Sequence, residues 1–171
     1  MIDSIVQTLD GLGRRLAPFA TTVLLVVLNA IPLPLPDYRA IVPLVPLMAV
    51  FYWALYRPDL MPAAGVFLIG VLDDVLTGAP LGLNALIFLA VLGFVRRNRR
   101  LLAGRTFPFV WGAFAIIVLA VGAANWLIAT FLFGANVRSE PAIGQLVLTF
   151  ALFPIVAWLL IQVLRAFLAR A

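Results

Sequence analysis

Two adjacent carboxylates, Asp73 and Asp74, stand inside an apolar stretch and are the side chains best placed to do chemistry. They belong to residues 70–86, which read GVLDDVLTGAPLGLNAL. A carboxylate at bilayer depth costs about 2.5–3.5 kcal/mol on insertion scales, so it needs a partner, water or a proton. Any account of function therefore has to explain what these two acids do.

The spacing of the surrounding glycines assigns the two acids to different faces of the helix. Gly70, Asp74 and Gly78 recur every four residues and so share one helical face. Glycines on that face let another backbone approach closely, which predicts that Asp74 points into a helix bundle. Asp73 lies about 100° further round the helix and faces a different neighbour or outer water. The nearest candidate cations for Asp74 are Arg39 and Arg138 of the outer loops. Otherwise Asp74 caps backbone amides of the following turn, bonds Asn84 or Asn125, or stays protonated.

Catalysis by this pair is not expected. Intramembrane aspartyl catalysis needs two carboxylates that converge on one water, whereas neighbours in one helix diverge. The chain contains no histidine and no cysteine, which removes the commonest general base, the commonest zinc ligand and all thiol chemistry. No phosphate-binding glycine loop is present. The sequence predicts a protein that is not an enzyme and that has no cofactor and no metal site.

The composition indicates an integral membrane protein. Of 171 residues, 65% are hydrophobic and only 11% are charged, whereas soluble domains are near half apolar and a quarter charged. We expect one all-α transmembrane domain over residues 1–171. Residues 1–15 form a cytoplasmic N-terminus, either a helix lying in the membrane interface or a frayed end. Residues 16–164 form the bundle, and residues 165–171 are a cytoplasmic tail.

The hydrophobic runs predict six transmembrane helices. The segment with Pro32, Pro34 and Pro36 must be extended, because proline cannot continue a helix. Pro43 and Pro46 fall in the first turns of the second helix, and Pro154 is expected to kink the sixth. The third and fourth helices are short for a span, which suggests a thinned or water-filled membrane near their turn. The predicted helices cover residues 16–31, 41–56, 60–76, 83–95, 107–133 and 143–164.

The distribution of the arginines predicts the orientation of the chain in the membrane. With the N-terminus inside, the cytoplasmic segments carry ten arginines and the outer loops carry two, Arg39 and Arg138. This positive-inside bias predicts that both termini are cytoplasmic. The densest group, the basic cluster, is expected to contact anionic lipid, or else to dock a cytoplasmic protein, and needs no nucleic acid. The basic cluster consists of Arg96, Arg97, Arg99, Arg100 and Arg105.

Polar side chains within the predicted spans concentrate in the outer half. Asn29, Asn125 and Gln145 fall there together with the two acids and Asn84. One interpretation is a polar pocket that opens outward, with the proline-rich segment as its lid. The other is that these residues only hold helices together, at about 0.6 kcal/mol for each hydrogen bond.

A family resemblance follows from the hairpin residues. Gly70, Asp74 and Gly78, followed by Pro80-Leu81-Gly82-Leu83-Asn84-Ala85-Leu86, resemble the MreD family of rod shape-determining proteins. Members of that family are small inner-membrane proteins with six helices, and the length and the cytoplasmic arginine loop agree. Asp73 is an additional acid beside the family-like Asp74.

The resemblance implies a role in the elongasome, the machinery of cell-wall elongation. It implies a non-enzymatic scaffold that binds MreC, supports cell shape and peptidoglycan synthesis, and is associated with MreB filaments and with RodA and its class B transpeptidase. Asp74, Asn84 and the glycine stripe of Gly70, Gly78 and Gly82 would shape the outer face that meets the partner. The family also resembles the S component of energy-coupling-factor transporters, so the alternative is a small-molecule-binding subunit of such an importer.

Overall fold

The computed structural model describes residues 2–31, 42–133 and 140–168, with side chains described for 16–31, 42–131 and 142–166. The proline-rich segment lies outside the described residues. Six α-helices and one 3₁₀ turn, Pro58–Leu60, account for nearly all of the described part. The helices are α1 (Ile2–Ala30), α2 (Val45–Tyr56), α3 (Ala63–Thr77), α4 (Leu83–Leu102), α5 (Phe107–Phe133) and α6 (Glu140–Leu168).

The bundle has two ends that are used as landmarks below. The hairpin end carries the turn of residues 78–82, which joins α3 to α4. The arginine end carries residues 96–105, where α4 finishes and α5 begins. Helices α3 and α4 form the most extensive helix pair, and α2 packs against α1, α4 and α6.

Helix α2 lies at the centre of the bundle. Every residue from Pro46 to Leu55 is buried, as expected for a helix that is apolar on all sides. Its Phe51 ring packs against Phe114 of α5 and Phe153 of α6, with centroid separations of 5.1 and 5.8 Å. Phe114 and Phe153 stack on each other at 4.1 Å. Three helices therefore meet in one aromatic cluster.

Helices α5 and α6 leave large apolar faces uncovered. Segments of 25 residues, Phe107–Phe131 and Ala142–Ala166, have mean hydropathies of 2.2 and 2.4. Each is roughly 37 Å long at 1.5 Å per residue, which exceeds the hydrocarbon thickness of a bilayer. Ile116, Val147 and Trp158 are more than half exposed. In the described part of the chain these two helices are long and apolar enough to cross a membrane.

The close pairing of α3 and α4 depends on one glycine. Gly70 and Ala85 are both buried and face each other across the hairpin. A Cβ built on Gly70 would overlap the Cα of Ala85 and lie 2.6 Å from its amide nitrogen. The two backbones therefore touch, which is the close approach that the glycine stripe predicts.

Several predicted helix bounds need correction. Helix α4 continues to Leu102 rather than ending at residue 95, so the prediction of a short fourth helix is wrong. Arginine is a good helix former, and two of these arginines have backbone acceptors on neighbouring segments. Helix α5 has the predicted bounds. Helices α3 and α6 differ from prediction by one to four residues at each end.

The starts of α1 and α2 also differ from prediction. Helix α1 is continuous from Ile2, so the N-terminal residues and the first predicted span form one helix. Helix α2 begins at Val45, which leaves Pro43 outside it, and residues 42–44 are not helical. The Leu44 amide and the Val42 carbonyl find their partners on α6.

Replacing Gly70 by alanine tests the hairpin contact. We expect Gly70→Ala to lower the free energy of unfolding by about 3 kcal/mol, because overpacking against a backbone cannot be relieved by a rotamer change. Gly93→Ala, in the same hairpin, is the matched control, since nothing lies within 4 Å of its added Cβ. The control should be neutral or stabilising by up to about 1 kcal/mol. Thermal unfolding in detergent, followed by tryptophan fluorescence, measures both, and equal stabilities would contradict the contact.

Candidate functional site

The turn of the hairpin begins at Asp74. Its backbone carbonyl accepts hydrogen bonds from the amides of Gly78 and Ala79, the second at 3.0 Å. Gly78 has a φ of 71°, a left-handed conformation that ends α3 and that residues with a Cβ rarely adopt. The chain can therefore reverse immediately after the helix.

The Asp74 carboxylate then bonds backbone amides on the far side of the turn. Its Oδ2 accepts from the Gly82 amide at 2.7 Å, and its Oδ1 accepts from the Asn84 amide at 2.9 Å. The side chain is completely buried. Gly82 is the N-cap of α4 and has no side chain of its own to cap the helix. Asp74 supplies that cap from the preceding helix, where its negative charge also interacts favourably with the α4 dipole.

These contacts agree with one of the alternatives for Asp74, the capping of backbone amides. The carboxylate caps backbone amides of the turn, and Asn84 takes part through its backbone N–H. The two other stripe residues act locally. Gly78 and Gly82 both have positive φ, and neither has a neighbour within 4 Å of a built Cβ. Their role is conformational, whereas Gly70 provides space for Ala85.

A cavity of about 630 Å³ lies beside the turn at the hairpin end. All six helices contribute to its wall, together with residues 42–44. Its apolar lining includes Pro43, Leu47, Phe88 and Ile128. Among the described residues, its polar lining consists of Asn29, Asp73, Thr77, Asn84, Asn125 and Gln145. The polar residues that the sequence placed in the outer half thus meet at one cavity, which Asp74 and Pro80 flank at the turn.

Asp73 and Asp74 have opposite surroundings although they are neighbours. Asp73 is only 6% exposed and lines the cavity, yet its carboxylate has no hydrogen-bond partner in the described part of the chain. Its backbone carbonyl accepts from the Thr77 hydroxyl at 2.6 Å. By contrast Asp59, in the exposed 3₁₀ turn, pairs with Arg57 at 3.2 Å, and that hydrogen bond lowers the pKa of Asp59.

Asn125 is the second polar group of the cavity that lacks a partner. Its Oδ1 is buried and accepts no hydrogen bond from any described residue. Trp53 Nε1 is similarly unpaired among the described residues, but Trp53 belongs to the core and does not line the cavity. Most buried polar atoms in proteins are hydrogen-bonded, so an unpaired acceptor in a cavity wall requires an explanation.

Gln145 has a structural role in the same wall. Its Nε2 donates to the Val42 carbonyl at 2.7 Å. One turn later, the Thr149 hydroxyl accepts from the Leu44 amide at 3.1 Å and donates to the Gln145 carbonyl at 2.6 Å. These bonds attach the non-helical residues before α2 to α6. Thr149 was not among the predicted residues, although its position four residues after Gln145 in an apolar helix places it on the same face.

The basic cluster at the arginine end divides into two groups. Arg96 donates to the carbonyls of Pro58 and Met61 at 2.9 and 2.6 Å. Arg99 donates to the Leu55 carbonyl at 3.0 Å. These two arginines satisfy carbonyls at the end of α2 and in the connection to α3, which α-helices otherwise leave unpaired.

The other three arginines of the cluster point elsewhere. The Arg105 guanidinium lies 5.4 Å from the centroid of the Phe109 ring, within range of a cation–π interaction. Arg97 and Arg100 are exposed and have no hydrogen-bond partner among the described residues. The sequence assigned one role to all five, because charge counts do not reveal which guanidinium reaches a carbonyl.

The exposed apolar faces of α5 and α6, the central buried helix and the acid-capped hairpin are typical of an all-helical membrane protein. The family model described as rod shape-determining protein MreD matches residues 12–166. This chain therefore belongs to the MreD family, which confirms the resemblance of the hairpin residues. No curated protein and no solved structure matches the chain.

Removing the Asp74 carboxylate tests its capping role. We expect Asp74→Ala to lower the free energy of unfolding by about 3–5 kcal/mol, because two hydrogen bonds to a charged acceptor are lost and two amides remain unsatisfied. Asp74→Asn keeps one acceptor and should lose roughly half as much. Asp59→Ala removes only an exposed ion pair and should change stability by less than about 1 kcal/mol. Chemical unfolding in detergent measures all three, and a loss for Asp74→Ala no larger than for Asp59→Ala would refute the cap.

Proposed function

We propose that this chain is a non-enzymatic membrane scaffold of the cell-wall elongation complex. In this role it binds MreC in the bacterial inner membrane and supports cell-shape maintenance and peptidoglycan synthesis. The observation that carries the proposal is the match to a rod shape-determining family over residues 12–166. The resemblance of the hairpin residues to that family supplies the partners: MreC first, then MreB filaments and RodA with its class B transpeptidase.

The proposed topology has six spans and both termini in the cytoplasm. It is supported by the ten arginines on one side and the two on the other. In this orientation the arginine end faces the cytoplasm and the hairpin end faces outward. With six spans in this orientation, the polar cavity lies at the outer surface, so its polar side chains avoid the hydrocarbon interior of the membrane.

The outer half of the α3–α4 hairpin is the proposed surface for MreC. Val75, Leu81 and Leu86 are each more than 60% exposed there. The Asp74 cap holds the turn that separates them, and the Gly70–Ala85 contact fixes the distance between the helices. A partner thus meets an apolar surface whose shape is already set, which reduces the ordering cost of association.

The cytoplasmic surface is the proposed site for anionic lipid. Arg97 and Arg100 are exposed and have no acceptor among the described residues. Each arginine near a negatively charged leaflet contributes about 1 kcal/mol of attraction. The same two side chains are available to a cytoplasmic protein, whereas Arg96 and Arg99 already bond backbone carbonyls of this chain.

The cavity favours a second candidate function. A small-molecule-binding subunit of an energy-coupling-factor-type importer needs a pocket of a few hundred Å³ near the outer surface, and a cavity of about 630 Å³ meets that need. The two functions differ in their companions. An importer subunit requires a coupled membrane protein and ATPases, whereas the scaffold requires the wall-synthesis proteins.

A pull-down separates these two functions. Tagged protein is extracted from its native membrane in a gentle detergent, and the bound proteins are identified by mass spectrometry. We expect MreC, RodA and the transpeptidase to be recovered, because the scaffold holds them in one complex. A parallel pull-down of an unrelated tagged membrane protein is the control. Recovery of a transporter subunit with its ATPases would instead establish the importer.

Cell shape tests the hairpin in the living cell. We expect Asp74→Ala to impair complementation of a shape defect more than Asp73→Ala, because only Asp74 holds the turn. Cell width and length are measured by microscopy, and immunoblots of membranes record the level of each variant. Gly93→Ala, exposed and unconstrained, is the control. Normal rods from both acid variants would rule out a role for the capped turn.

A further inference from the structure

We propose that the cavity at the hairpin end binds a small organic cation, an ammonium group on an apolar body, with Asp73 and Asn125 as its acceptors. This inference goes beyond the scaffold function and does not depend on it, since a binding site of this kind is compatible with any set of protein partners. It rests on three features of the cavity: its size, its charge and its unpaired acceptors.

The size and walls of the cavity suit a compact ligand. At about 630 Å³ it lies within the usual range for small-molecule sites, which are mostly apolar with a few placed polar groups. Pro43, Leu47 and Phe88 supply apolar surface. Thr77 and Pro80 at its edge are exposed, so the cavity reaches the surface of the protein.

The charge of the cavity selects the sign of the ligand. Asp73 is the one charged side chain among the described lining residues. It is 94% buried and has no donor among the described residues. A carboxylate that faces a narrow cavity loses part of its hydration, which costs free energy unless a partner compensates it. A cation in the cavity removes that cost, whereas a neutral ligand leaves it and an anion raises it.

The unpaired acceptors select the donors of the ligand. Asn125 Oδ1 is buried and has no donor among the described residues. A buried acceptor without a hydrogen bond costs about 1–3 kcal/mol. An ammonium carries a positive charge and three N–H donors, which suit a carboxylate and an amide oxygen that line the same cavity. A divalent metal is a poorer fit, because Ca²⁺ takes six to eight oxygens and the cavity walls are mostly apolar.

A matched set of three probes tests the sign of the ligand. Full-length protein in lipid nanodiscs is titrated with cyclohexylammonium, cyclohexanol and cyclohexanecarboxylate, which share one apolar ring. Isothermal titration measures binding, and tryptophan fluorescence measures the shift in unfolding temperature. We expect saturable binding of cyclohexylammonium that is at least tenfold tighter than that of either other probe.

Two variants locate the acceptors. Asp73→Asn should weaken cyclohexylammonium binding at least tenfold and at the same time raise the unfolding temperature of the unliganded protein, because an unpaired and partly desolvated carboxylate is removed. Asn125→Leu should weaken binding about threefold, and it keeps the proposal testable if Asp73→Asn fails to fold. Asp59→Asn, which changes an acid outside the cavity, should leave binding unchanged.

Three outcomes would overturn the proposal. The first is equal binding of the three probes or no saturable binding at all. The second is wild-type affinity in Asp73→Asn or in Asn125→Leu. The third concerns Arg39 and Arg138, which lie outside the described residues. Cyclohexylammonium binding that appears only in Arg39→Gln or Arg138→Gln would assign the Asp73 carboxylate to an ion pair within the chain.

Discussion

The structure depends on how the amides at the start of α4 are satisfied. An α-helix leaves its first N–H groups unpaired, and glycine at the N-cap has no side chain to offer. The Asp74 carboxylate reaches across the turn and accepts from Gly82 and Asn84. The bond fixes the reversal of the chain, the reversal brings Gly70 against Ala85, and that contact sets the helix pair that forms one wall of the cavity. A single buried carboxyl side chain thus links the turn, the α3–α4 contact and one wall of the cavity.

At the arginine end of the bundle, positively charged side chains bond backbone carbonyls, just as the negatively charged Asp74 bonds backbone amides at the hairpin end. Helix dipoles favour anions at N-termini and cations at C-termini. Asp74 meets the N-terminus of α4, while Arg96 and Arg99 of α4 donate to carbonyls at the end of α2 and in its connection to α3. Helix α4 is therefore anchored at both ends by charged side chains bonded to backbone groups. Since these bonds join different segments, they orient helices that apolar packing alone would leave free to slide.

Sequence reasoning predicted the fold well where a single physical signal decides the outcome. Helix α5 is an uninterrupted apolar run, and its bounds were predicted correctly. The inward face of Asp74 followed from the glycines four residues away, because helical periodicity fixes faces. Its acceptor role toward backbone amides was one of several alternatives, since a choice among them requires the turn geometry of Gly78 and Gly82. The end of α4 was misplaced because charge was taken to mark the end of a helix, whereas Arg96 and Arg99 remain helical and use backbone acceptors. Thr149 was missed, because its partner is an amide more than a hundred residues away.

The contrast between Asp73 and Asp74 connects stability with binding. Both acids belong to one turn of α3 and are buried, yet only Asp74 is hydrogen-bonded within the described residues. A rotation of about 100° along the helix separates them, so one carboxylate meets the amides of α4 and the other meets a cavity. A satisfied carboxylate contributes to the stability of the turn. An unsatisfied charge opposes folding, and a fold that retains such a group uses it where a ligand or a partner can compensate it. Asn125 stands in the same position on the same cavity. A donor-bearing occupant of the cavity offers one explanation for both acceptors, whereas a purely structural account has to explain each of them separately.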